Sequence, residues 1–244
     1  MANNDNVDES RRSFLKKSGY AAGGVVGGGI IGSLIGINLD GKEKEDTKSD
    51  STKNVTQERM YFTNQKDFDV LSEATERIFP KDDNGPGAID LGVPYFIDHQ
   101  LAGAYGYNTQ EYMQGPFHQG TDFQGYQTRL KRNEIYMLGV RMLEQKSKES
   151  HDSSFTDLEG DQKDNILKQF EDDEVKMRGV QSSEFFTLLF DATMAGVYAD
   201  PLYSGNLDME GWKMKEYPGH VGSYKDKIEE DEFINMDPTP LKDM

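Results

Sequence analysis

No cysteine occurs anywhere in the chain, and that one absence closes off several kinds of chemistry. Without a thiolate there is no cysteine nucleophile, no iron–sulfur ligation, no thiolate zinc site and no covalent c-type haem attachment. A lipoprotein anchor, which needs a cysteine to acylate, is excluded too. The fold must hold by packing alone, which 244 residues allow. Basic residues are also in deficit, with 27 Lys plus Arg against 44 Asp plus Glu and a formal net charge of −17. Residues 1–40 balance, with Arg11, Arg12, Lys16 and Lys17 against Asp5, Asp8, Glu9 and Asp40, so the whole excess lies beyond residue 40. Such a domain repels phosphate, and nucleic-acid binding is set aside.

Recognisable catalytic motifs are scarce. The four histidines, His99, His118, His151 and His220, include no pair at helical metal-ligand spacing. There is no G-x-S-x-G elbow, no P-loop and no H-E-x-x-H. The acidic turn Lys81-Asp82-Asp83-Asn84-Gly85-Pro86-Gly87 fails as a calcium loop. With Gly87 at loop position 6, Pro86 falls at 5 and Val93 at 12, where a bidentate Glu is required. Gly27-Gly28-Gly29-Ile30-Ile31-Gly32 matches G-x-G-x-x-G literally, but a charged linker follows it instead of a helix-bearing nucleotide unit. Mean hydropathy is low, at −0.77. The chain nevertheless holds 13 Phe, 12 Tyr and 11 Met, enough to build a core.

What is present begins at the N-terminus. Ser10-Arg11-Arg12-Ser13-Phe14-Leu15-Lys16-Lys17 precedes an uncharged, glycine-rich run from Ser18 to Leu39. A basic segment before an apolar one is an export signal, and paired arginines followed by Phe14 and Leu15 mark the twin-arginine kind. The chain is therefore expected to engage the twin-arginine translocase and to act outside the cytoplasmic membrane. No Ala-x-Ala site follows the run, which is long enough to cross a bilayer. Retention as an N-terminal anchor at the outer face and release after cleavage are both open.

Residues 40–60 are charged or small and polar, and read as a flexible linker. Beyond it the spacing predicts an all-α domain of about five helices with long ordered loops over 61–225, then an acidic tail over 226–244. The first helix, capped by Thr63 or Asn64, runs to Phe79 with Phe68, Leu71, Ala74 and Ile78 on one face, and Pro80 stops it. Pro94 opens a second, to about Ala104, containing Phe96, Ile97 and Leu101. A third is expected from Asp122 to Lys148, lined by Tyr126, Leu130, Met137, Val140 and Leu143. Thr156-Asp157-Leu158-Glu159 reads as a capping box opening a fourth, with Ile166, Leu167 and Phe170. The fifth spans Ser183 to Tyr198, with Phe185, Leu188, Leu189 and Val197 inward. Asp98-His99 is the nearest approach to a polar site, and His99 there is a proton shuttle or a structural histidine. The Tyr and Phe clusters, among them Tyr105, Tyr107, Tyr112 and Phe117, suit packing or an interface better than a ligand site.

Taken in order, several loop motifs carry a resemblance. They are Glu76-Arg77-Ile78-Phe79-Pro80, Gly85-Pro86-Gly87-Ala88, Gly92-Val93-Pro94-Tyr95-Phe96-Ile97-Asp98, Gln100-Leu101-Ala102-Gly103, Gly115-Pro116-Phe117, Phe185-Phe186-Thr187-Leu188-Leu189, Gly196-Val197-Tyr198-Ala199-Asp200-Pro201, Tyr203-Ser204-Gly205-Asn206, Gly211-Trp212-Lys213 and Tyr217-Pro218-Gly219. Over residues 61–224 the chain resembles the gluconate 2-dehydrogenase subunit 3 family. That resemblance implies a non-catalytic small subunit, with no catalytic, cofactor or metal residues of its own. It would pair with a large FAD-containing dehydrogenase subunit of the glucose–methanol–choline class, which oxidises sugars, sugar acids or polyols, and carry it across the membrane as a folded complex. Electrons in this family often pass on to a cytochrome c subunit. No disulfide can tie this chain to its partner. The residues expected at the partner interface are Pro80, Gly85, Pro86, Gly87 and Pro94 in one loop, and Asp200, Pro201, Tyr203, Asn206, Trp212, Tyr217 and Pro218 in the other. The second stretch has too little aliphatic content to pack as an ordinary core element. The competing readings are a stand-alone exported envelope or ligand-binding protein, and an independent enzyme working at Asp98, His99 or Asp200.

Overall fold

The structure, a computed structural model, describes residues 57–118, 120–121, 127–225, 227–231 and 234–243. The expected export signal, and nearly all of the expected linker over 40–60, lie outside those residues. The described chain is helical, as the spacing predicts, and its only β-type pairings are isolated bridges. Five helices of ten residues or more are α1 (Gln65–Ile78), α2 (Val93–Ala102), α3 (Arg132–His151), α4 (Gly160–Glu171) and α5 (Ser182–Tyr198); a single turn, α6 (Glu210–Lys213), follows.

Local chemistry explains most of the ends. Asn64 caps α1 by accepting from the Lys66 amide at 3.0 Å. Gly92, at φ +73, turns the chain into α2 in a conformation that disfavours any side chain, and Pro94 occupies the first turn. Helix α3 begins ten residues later than the spacing predicts, and residues 122–126 of the expected helix lie outside the described ones. Its start is fixed in part from outside the helix. The Arg132 amide donates to Asn108 Oδ1 at 2.9 Å, and the Lys131 amide to Glu134 Oε2 at 2.7 Å. The expected capping box at Thr156 is also corrected. Phe155–Asp157 forms a separate 3-10 turn, and the true cap is Glu159, whose amide donates to Gln162 Oε1 at 3.0 Å.

Helices α1 and α5 each pack against all four of the other long helices, so they form the middle of the body. Phe68, Leu71, Ala74 and Ile78 of α1 are buried, as expected, and Phe185, Leu189 and Val197 of α5 with them. Phe185 is the hub. It meets Tyr136 edge-on at 5.9 Å and Phe170 at 5.7 Å. Gly139 of α3 lies so close to its ring that any side chain there would collide with it. Tyr136 is fully buried and donates its hydroxyl to the Leu188 carbonyl at 2.6 Å. Burial holds that hydroxyl well above its usual titration range. At the edge of the core, α1 is clipped to α4 by a two-pronged Arg77–Asp164 pair at 2.7 Å and by Lys163–Glu73 at 2.7 Å.

Candidate functional site

The two loops singled out from the sequence meet in the structure. Glu76 shapes the first. Its Oε1 accepts from the Lys81 amide at 3.0 Å and its Oε2 from the Ile89 amide at 2.9 Å, folding Pro80–Asp90 around one carboxylate. Gly87 packs directly on that carboxylate, leaving no room for a side chain. The second loop follows α5. Asp200 Oδ1 caps a 3-10 turn, Pro201–Tyr203, by accepting from the Leu202 amide at 2.9 Å. Ser204, Asn206, Asp208 and Met209 then all take positive φ. Four non-glycine residues in that region are costly and need outside support. Asn206 supplies it. Fully buried, it accepts from the Gly211 amide at 2.7 Å and donates to the Ala199 carbonyl at 2.9 Å. Trp212 adds a bond from Nε1 to the Tyr198 carbonyl at 2.8 Å and packs edge-on to Tyr217. The Leu207 amide reaches the Leu91 carbonyl at 3.1 Å, joining the two loops into one platform.

The candidate interface residues divide by exposure. Tyr203 and Tyr217 are each half exposed. Pro80, Gly85, Pro86, Asp200 and Pro218 are partly covered, while Gly87, Pro94, Pro201, Asn206 and Trp212 are buried within the chain. The buried members shape the platform from beneath, and the two tyrosines are what it presents. Sparse aliphatic content in this stretch is met by side-chain-to-backbone hydrogen bonds.

Asp98 and His99 do different work from each other. Asp98 is fully buried and collects three consecutive amides: Phe62 at 2.7 Å, Tyr61 at 3.2 Å, and Met60. It clamps the segment entering the domain onto α2. His99 Nε2 faces the Glu58 carbonyl at 2.7 Å, which can only accept, so Nε2 carries the proton. Its Nδ1 then accepts from the Ser204 hydroxyl at 2.9 Å. A serine bonded to a histidine that is oriented by a third group follows the pattern of an activated nucleophile. Ser204 is only 5% exposed, however, and packs beneath Gly92, so its hydroxyl is closed to a substrate carbonyl. The pair is a staple between α2 and the platform.

Beside the platform lies an open cleft of about 410 Å³ lined by Asp200, Trp212, Tyr217, Gly219, His220, Val221, Tyr224 and Leu241. Its far wall belongs to the last residues of the chain. The His220 amide donates to the Thr239 carbonyl at 2.8 Å, the Thr239 amide to the Pro218 carbonyl at 3.1 Å, and the Leu241 amide to Asp200 Oδ2 at 2.8 Å. Sequence reasoning missed this wall. The signal available was Pro238-Thr239-Pro240-Leu241, a stiff apolar stretch following an acidic one. Among the described residues no three His, Asp or Glu side chains converge as a metal site, and no helix is long and apolar enough to cross a membrane.

The helical domain thus carries two built loops joined into one surface platform, and its sequence can be set against known families. The pattern described as gluconate 2-dehydrogenase subunit 3 fits residues 65–219, and the chain belongs to that family. No curated protein sequence and no solved structure shows a significant match to it.

Proposed function

We propose that the chain is the non-catalytic small subunit of a membrane-associated, flavin-dependent dehydrogenase acting on sugars, sugar acids or polyols. The catalytic partner, of the glucose–methanol–choline class, carries the FAD. This chain stabilises it and supplies the twin-arginine signal, with Arg11, Arg12, Phe14 and Leu15, by which the two are exported to the outer face of the cytoplasmic membrane. The observation that carries the reading is the family match over residues 65–219, which takes in both loops of the platform. The exposed tyrosines there support it, because aromatic side chains that keep a polar tip suit protein interfaces. A cytochrome c subunit would accept the electrons.

The test is purification of a tagged copy from its native membranes in mild detergent, with visible absorption recorded. A flavin spectrum and a larger co-purifying chain are expected, and the preparation should reduce a dye on addition of a sugar or polyol. A colourless single chain at good yield would falsify the reading.

A further inference from the structure

The tip of the first loop is a tight turn held by an asparagine side chain. Asp82 and Gly85 exchange both backbone hydrogen bonds, each at 3.2 Å, the long end for such bonds. Asp82 also grips Asn84, accepting its backbone amide on Oδ1 at 2.8 Å and its side-chain Nδ2 on Oδ2 at 3.0 Å. Asp82, Asp83 and Asn84 are all exposed. Gly85 answers to the second loop: the Met214 sulfur lies where any side chain at position 85 would go. That contact is a further joint between the two loops of the platform. Packing therefore requires a glycine directly after an exposed asparagine, and Asn84-Gly85 is the one Asn-Gly pair in the chain.

A glycine sets no Cβ between its own nitrogen and the side chain before it. The Gly85 nitrogen can then attack Asn84 Cγ. The Cγ–Nδ2 bond breaks, the nitrogen's proton leaves with Nδ2 as ammonia, and a five-membered succinimide remains. Water opens that ring at either carbonyl, giving aspartate or isoaspartate, with no oxidant or reductant involved. Ring closure needs the Gly85 amide free of the Asp82 carbonyl, so it waits on local opening of the turn. Either product then keeps the turn from closing as before. The bond from Nδ2 to Asp82 is lost, and a carboxylate stands in its place against Asp82 and beside Asp83. Isoaspartate also adds a carbon to the backbone, which puts the Asp82–Gly85 pairing out of register.

We propose that Asn84 is a site of spontaneous deamidation, and that its conversion draws Gly85 off Met214 and loosens the platform. The proposal is independent of what the platform binds.

The experiment incubates the full chain, purified in mild detergent, at 37 °C at pH 6 and at pH 8, and follows each asparagine by peptide mapping with mass spectrometry. Asn84 should convert to a mixture of aspartate and isoaspartate. Conversion should be faster at pH 8, because the attacking nitrogen must shed its proton, and should run ahead of Asn64, which is also exposed but precedes Gln65. Trp212, two residues from Met214, reports the consequence. Its fluorescence transition in urea should come at a lower midpoint in the incubated wild type than in the fresh protein. Asn84→Asp should show the lower midpoint without incubation. Asn84→Gln keeps a neutral amide but would need a six-membered ring, so its midpoint should survive incubation. Three results would each overturn the proposal. One is an intact Asn84 in the protein when a free peptide of residues 81–88 has been converted under the same conditions. The others are an equal loss of midpoint in incubated Asn84→Gln and an unchanged midpoint in converted wild type.

Discussion

The helical body and the platform that follows it solve the same problem with different materials. In the body, from Gln65 to Tyr198, Phe185, Phe170, Leu71 and Ile78 exclude water, and most polar groups are pushed to the edge. In the platform, after Tyr198, the buried residues include Ser204, Gly205, Asn206, Gly211 and Trp212, and order comes from side chains that bond to backbone. Apolar packing is tolerant in shape and strong in sum, whereas each polar bond fixes one atom against one other. The body can therefore be a generic scaffold, and the platform can hold a strained, particular surface.

The contrast can be broken most forcefully from the side of the body. Phe185→Ala removes the hub that Tyr136 and Phe170 pack against, and should cost about 3–5 kcal/mol, read as a lower urea midpoint by far-UV circular dichroism. Loss of all folded signal would make the same point. From the side of the platform, Asn206→Ala strands the Gly211 amide and the Ala199 carbonyl, at about 2 kcal/mol. Trp212 is the only tryptophan, so its fluorescence reports the platform while circular dichroism reports the body. In this variant the fluorescence transition should come at lower urea than the helical one. Coincident transitions would mean that the two regions are a single cooperative unit.

The smallest effect sharpens the comparison, because it lies at a polar joint inside the body. Glu144 accepts from the Phe155 amide and the Ser154 hydroxyl, both at 2.9 Å, and pairs with Lys148 at 2.8 Å. Burial pushes its carboxyl up, but those three partners outweigh it and hold the carboxyl below the ordinary glutamate range. A lowered folded value means stability that is present above the unfolded value and lost as pH falls through the folded one. Denaturation midpoints from pH 7 down to pH 3 should therefore fall less for Glu144→Gln than for the wild type. An equal fall in both would deny Glu144 that role.

Which parts were legible follows from the same division. Helices α1, α2 and α5 could be read from Asn64, from Pro94 and from apolar residues at helical spacing, because cap, proline and period are local signals. The start of α3 could not, since Asn108, twenty-four positions away, holds the Arg132 amide. Nor could the positive φ of Ser204, Asp208 and Met209, which no glycine announces. The two loops were picked out among the motifs that carry the family resemblance, the second also by its sparse aliphatic content, and the structure joins them. Which of their residues face outward depended on Asn206 and Trp212 turning in to bond Ala199 and Tyr198. The cleft wall depended on the Leu241 amide finding Asp200, forty-one residues back.

Both ends of the described chain fasten to one short turn. Glu58 reaches Ser204 by way of His99, and Leu241 reaches Asp200 directly. During synthesis the body can assemble as soon as α5 has emerged, but the turn at 200–204 stays half made until Leu241 has left the ribosome. That one turn is thus a seal on the domain, closed only when stretches of chain more than 180 residues apart have both been delivered to it.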